Sequence, residues 1–149
     1  MLHSRSWKDK IIRGIASPDY HNALLVLSEI AALTAEQEHL NLFDDVQRDV
    51  EILRVLLLLI IEPSTHNTDP SLLSVLEKYR VVDEGFDPET RICPHLSVEL
   101  SILLQSLVMA VESLETNSVL YIEDELVPLI SDQQRSLLRV LVKQTLRKV

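Results

Sequence analysis

Cys93, Pro94 and His95 place a thiol and an imidazole side by side, closer than any other such pair in the chain. A thiolate stabilised at a helix N-terminus beside an imidazole is the beginning of nucleophilic catalysis, and Cys with His is the beginning of a zinc site. Neither is completed here. A structural zinc site takes about four Cys or His ligands in two close pairs, and His3, His21, His39 and His66 stand far apart along the chain. A Cys–His nucleophile needs a further positioned group, and nearness in sequence is not pairing in space. The expectation is therefore a buried thiol at a helix start with a surface imidazole next to it.

Carboxylates crowd at Asp44, Asp45, Asp49 and Glu51, and again at Glu123, Asp124 and Glu125. Acid–base catalysis needs two carboxyls held in a cleft in unlike environments. Neighbouring acids on the wet side of an amphipathic helix are simply solvated, and Asp44 stands at i, i+4 from Arg48. A carboxylate di-iron bundle needs Glu-x-x-His on two facing helices, and the chain has no such pair. Gly14 and Gly85, the only glycines, allow neither G-x-G-x-x-G nor G-x-x-x-x-G-K. No residue is assigned a catalytic, cofactor-binding or metal-binding role, and the chain reads as a non-enzyme without a cofactor.

Two basic segments are the remaining candidates. Residues 1 to 18 carry Arg5, Lys8, Lys10 and Arg13 against Asp9, a net of +3, and residues 135 to 149 carry Arg135, Arg139, Lys143, Arg147 and Lys148 with no acid, a net of +5. The stretch between them sums to −17 within an overall −9. Trp7, Ile11 and Ile15 recur at i, i+4, i+8, an apolar stripe on a basic helix. Packing as a first helix, docking in a partner's groove, and a membrane-surface or presequence role all fit this stripe, with Asp9 counting against targeting. Arg135, Arg139, Lys143 and Arg147 fall at steps of four. At about 100° per residue they form one ridge, opposite Leu137, Leu138, Leu141 and Val149. Cations near a helix C-terminus complement its dipole, and the ridge could lie on the acidic body of the same molecule, on an acidic protein or on nucleic acid. Nucleic acid takes the minor share, because a net −9 repels phosphate and no aromatic residue interleaves the ridge.

The elements that position these residues are helical. The apolar fraction of 46% comes almost wholly from Leu, Val and Ile, with aromatics at 4%, and scarce glycine argues against sheets and their tight turns. After a basic helix over 2 to 15, Ser17-Pro18 reads as N-cap and N1 of a second helix reaching about Leu33. Thr34 to Gln37 reads as a capping box opening the longest helix, about 35 to 61. From Ile52 that helix is apolar on most of its circumference, so it should be covered on all sides. A helix from Pro70 to Val81 precedes an irregular acidic loop, 82 to 93. A second buried helix follows from Pro94 to Glu115, with Leu96, Leu100, Leu103, Leu107, Ala110 and Leu114 on its main stripe, thickened by Val98 and Ile102 among others. A short helix spans Val119 to Val127, and Ser131 to Gln134 forms a second capping box before the last helix.

The expected architecture is all-α: one compact bundle of six to seven helices in a single domain over 1–149, with residues 1–16 peripheral. A short HEAT-like array of helical hairpins is the alternative. The longest apolar run, Val55 to Ile61, is about a third of the roughly 20 residues that span a bilayer. The single cysteine and the lack of a secretory leader pattern point to the cytoplasm or nucleus. The functional expectation is a protein–protein interaction module, such as a small adaptor, regulatory subunit or assembly factor, with protein partners that are acidic or helical and with self-association compatible. Its partner-binding residues would be Trp7, Ile11, Ile15, Arg135, Arg139, Lys143 and Arg147. The alternatives are an accessory subunit of a nucleic-acid-processing complex that touches phosphate through the C-terminal helix, and an enzyme with an unrecognised pocket.

Overall fold

Four of the described helices start at a proline, an early acid or a side-chain cap: Asp44–Ile61 on two acids, Pro70–Arg80 on proline, and Val98–Glu112 and Asp132–Arg147 behind Ser97 and Ser131. The computed structural model describes residues 20–35, 44–62, 70–80 and 94–149, with side-chain surroundings in the first stretch as far as residue 33. Residues 1–19, which include Trp7, Ile11 and Ile15, and the acidic stretch 82–93 lie outside the described residues. Among those described there are six α-helices, one 3-10 turn and no strand.

Helix α1 (Tyr20–Ala35) buries Ala23, Leu24, Leu27 and Ile30. It runs through Thr34 and Ala35, so Thr34 is a helical residue and not the N-cap of the next helix. The run Ala31-Ala32-Leu33 ahead of it continues a helix at little cost, and that outweighs a four-residue capping pattern. Helix α2 is described as Asp44–Ile61, with Asp44 and Asp45 in its first turn, where carboxylates complement the helix dipole. From Val50 to Ile60 every residue except Arg54 is buried. Helix α3 (Pro70–Arg80) opens on proline and buries Val75, Leu76 and Tyr79.

Helix α4 is Val98–Glu112, later than the expected start at Pro94. The Ser97 hydroxyl accepts from the Leu100 amide at 3.1 Å and sets the start there, leaving Pro94 and His95 in a turn. Helix α5 (Thr116–Leu126) runs into the 3-10 turn Val127–Leu129, which contains Pro128. Helix α6 (Asp132–Arg147) carries the expected capping box: the Gln134 amide donates to Ser131 Oγ at 3.3 Å, and the Ser131 amide donates to Gln134 Oε1 at 2.9 Å.

The helices close around α2, which packs on α1, α3, α4 and α6, while α3, α4, α5 and α6 contact one another in succession. The contact of α6 with α2 decides between the two expected architectures. In a linear array each hairpin touches only its neighbours, whereas here the last helix returns to the second. Gln134 Nε2 donates to Asp49 Oδ1 at 3.2 Å, Gln144 Nε2 donates to the Ile60 carbonyl at 3.0 Å, and Lys148 pairs with Glu62. The fold is an all-α helical bundle.

Helix α4 ends in a Schellman turn. The Leu114 amide donates to the Val111 carbonyl and the Glu115 amide to the Ala110 carbonyl, with Leu114 at φ 55°. That left-handed position favours glycine. Leu114→Gly is expected to raise the unfolding free energy by up to about 1 kcal/mol, and Leu114→Val, branched at Cβ, to lower it. Thermal melts followed by circular dichroism check the order.

Candidate functional site

Among the carboxylates that stood out in the sequence, Asp49, Glu51 and Glu123 act as inter-helix ties. Glu51 was expected on the wet side of α2 but is only 5% exposed. Its Oε1 accepts from the Tyr79 hydroxyl at 2.7 Å and from Lys78 Nζ at 3.1 Å, both on α3. Helix α3 covers that side of α2, which the spacing within α2 alone does not reveal. Asp44 does not face Arg48. Its Oδ1 stands 3.0 Å from His95 Nδ1, and Arg48 pairs with Asp45 at 3.4 Å. The His95 side chain is largely covered, not the surface imidazole expected. Cys93 lies outside the described residues. Among the described residues no group of His, Cys, Asp or Glu is placed to hold a metal ion, and no helix is long and apolar enough to cross a membrane.

The basic ridge of α6 splits into a closed half and an open half. Helix α6 buries Leu137, Leu138, Leu141 and Val142, which seats it on the body and turns the ridge outward; Val149, expected on the apolar side, is exposed. Arg135 Nε donates to the Val127 carbonyl at 2.8 Å, and its Nη1 donates to Asp132 Oδ1 at 2.6 Å. Arg139 Nη1 donates to Glu123 Oε1 at 2.8 Å and Oε2 at 3.1 Å. Both arginines are thus turned onto α5, the 3-10 turn and the first turn of α6. Lys143 and Arg147 are exposed and have no carboxylate partner among the described residues. Exposed Val140 and Leu146 flank them. The open end of the ridge is a mixed apolar and cationic surface about two helical turns long.

A second surface was not anticipated. Helix α4 is buried along Leu100, Leu104, Leu107, Val108 and Val111, but its other side is open. Ile102 and Met109 are each 43% exposed, although Ile102 was counted with the core, and Tyr121 of α5 is 67% exposed. These residues line a groove of about 690 Å³ between α4 and α5, with Leu103, Ala110 and Ile122 along it. The signal was present in the sequence, because α4 carries apolar residues on two faces. Which face would stay uncovered depended on where the last helices pack.

No protein-family model matches the chain. The chain is similar to the 40-kDa huntingtin-associated protein. Over 108 residues it is 36% identical to that protein from Mus musculus, and equally to the one from Rattus norvegicus. The match takes in 72% of this chain and 28% of each relative, so the chain spans little more than a quarter of the curated relatives it matches. Those relatives are named for association with huntingtin.

Proposed function

We propose that this chain is a non-enzymatic protein–protein interaction module, a subunit or adaptor in a larger assembly, and that a huntingtin is its partner. The observation that carries the reading is the similarity to a protein named for associating with huntingtin. Two features of the structure support it. Glu51, Asp49 and Glu123 are each engaged in a contact between helices. Lys143 and Arg147, beside Val140 and Leu146, offer an uncommitted surface of the kind that meets an acidic protein face. Arg135 and Arg139 are engaged with Asp132 and Glu123, so an acidic partner would meet Lys143 and Arg147 first.

The test is co-elution of the purified chain with purified huntingtin from the same organism. A single peak holding both proteins is expected at micromolar concentration. The double variant Lys143→Glu, Arg147→Glu is expected to weaken the complex at least tenfold, with an unchanged melting temperature and a loss of salt dependence. Separate elution of the wild-type chain would end the huntingtin reading. Equal affinity of the double variant would move the contact away from α6.

A further inference from the structure

The groove between α4 and α5 has a length, a polarity and a charge that together describe what fits it. Its α4 wall runs from Ile102 to Ser113, which at 1.5 Å per residue is about 16 Å, or three helical turns. Ile102, Ser106 and Met109 recur along that wall at i, i+4, i+7, so they share one face of α4, with the Ser106 hydroxyl between two exposed apolar side chains and Tyr121 facing them from α5. Small side chains between the larger ones, Ser106, Ala110 and Ser118, leave hollows that a partner's side chains can enter.

The charge around this strip has one sign. From Val98 to Leu126 the chain has Glu99, Glu112, Glu115, Glu123, Asp124 and Glu125 and no Lys, Arg or His. Arg80 engages Glu112 with both Nε and Nη2, and Arg139 engages Glu123. Glu115, on the groove wall, accepts only from the Ser118 hydroxyl, and Glu99, Asp124 and Glu125 have no cationic partner among the described residues. Helical spacing puts Glu99 one turn before Ile102 and Leu103, and puts Asp124 and Glu125 one turn after Tyr121. Because α4 and α5 are joined by the tight turn Ser113–Glu115, these three acids share one end of the groove while Glu115 sits at the other. Among the described residues, both ends of the strip carry carboxylates without a cationic partner.

We propose that this groove docks a basic amphipathic helix of a partner protein, about three turns long, with apolar residues at i, i+3 or i+4, and i+7 and with Lys or Arg at both ends. Helix-in-groove recognition reads just such anchors, and the acidic rim sets the charge of the partner and speeds encounter. The site is separate from Lys143 and Arg147 and does not depend on whether huntingtin is the partner.

The probe is a fluorescein-labelled 18-residue helical peptide with Leu at the i, i+3, i+4, i+7 positions and Lys elsewhere, titrated with the full chain and followed by anisotropy. A peptide with Glu in place of every Lys is the charge control. The Leu/Lys peptide is expected to bind and the Leu/Glu peptide not to. Met109→Asp is expected to weaken binding at least tenfold even though it adds negative charge, and Tyr121→Ala, at the most exposed of the large apolar lining residues, to weaken it severalfold with an unchanged melt. The pair Glu99→Lys, Glu125→Lys is expected to weaken it tenfold or more. Equal binding by wild type, Met109→Asp and Tyr121→Ala would show a charge contact elsewhere and overturn the proposal. So would no binding by the wild type. Tighter binding by Trp7→Ala would assign the groove to residues 1 to 18 of this chain, and concentration-dependent dimerisation lost in Met109→Asp would assign it to a second copy. Either outcome overturns the partner proposal.

Discussion

Leu57→Ala is expected to lower the unfolding free energy by about 3 to 5 kcal/mol. Leu57 is completely buried on α2, and α2 is the helix that α1, α3, α4 and α6 all pack against. A truncated side chain at a surface-facing stripe is partly repaired when one neighbour relaxes inward. Around α2 the neighbours are also pinned to it by polar contacts, from Tyr79 to Glu51, Gln134 to Asp49 and Gln144 to the Ile60 carbonyl. The cavity is therefore retained and its full cost is felt. A domain's total stability is about 5 to 15 kcal/mol, so this single change removes a large part of it. Urea titration should show the midpoint falling with the slope unchanged. Leu103→Ala, at a half-buried position on α4, should cost about 1 kcal/mol, because less apolar surface is returned to water. Equal losses at the two positions would show that α2 is not the centre of the packing.

The second large effect is at Glu51. Its carboxylate is buried, and the Tyr79 hydroxyl that donates to it belongs to a side chain with no exposed surface. Glu51→Ala removes the carboxylate acceptor of that hydroxyl and opens a small cavity, for an expected loss of about 3 kcal/mol. Tyr79→Phe leaves the carboxylate with Lys78 alone and should cost about 2 kcal/mol, the usual worth of a hydrogen bond to a charged group. Lys78→Met should cost less than about 1 kcal/mol, since the Lys78 side chain is 43% exposed and water screens its charge. The order Glu51→Ala, Tyr79→Phe, Lys78→Met, read from denaturant midpoints, is the check. A dominant loss at Lys78 would mean that charge, and not the buried hydroxyl, holds α3 to α2.

What the sequence disclosed and what it withheld follow the range of each interaction. The Ser131–Gln134 box was readable because both partners lie within one turn, and the buried circumference of α2 was readable because its residues from Ile52 on leave no polar face. Thr34 misled because a capping pattern is equally short and local, while the residues before it carry α1 onward. Glu51 and His95 were misplaced for the opposite reason: their partners, Tyr79 and Asp44, lie 28 and 51 residues away. The same distance effect governs the surfaces. That Arg135, Arg139, Lys143 and Arg147 share a ridge follows from steps of four. That Arg139 is turned onto Glu123 while Lys143 and Arg147 remain open depends on how α5 lies against α6. The α4–α5 groove is the clearest case, since two apolar faces on α4 are written in the sequence and only the packing decides which one stays uncovered.

The return of α6 to α2 also sets the order of events during synthesis. Chains emerge N-terminal end first at about 5 to 20 residues per second. Ile60 and Gln144, whose contact ties the two helices together, are 84 residues apart, so on the order of 4 to 17 s separates their translation. Throughout that interval the side of α2 reserved for α6 lacks its native cover. A nascent chain with an apolar helix open to its surroundings is prone to associate with others. The same closure that makes the finished bundle stable therefore places its most vulnerable moment on the ribosome, before the last helix exists.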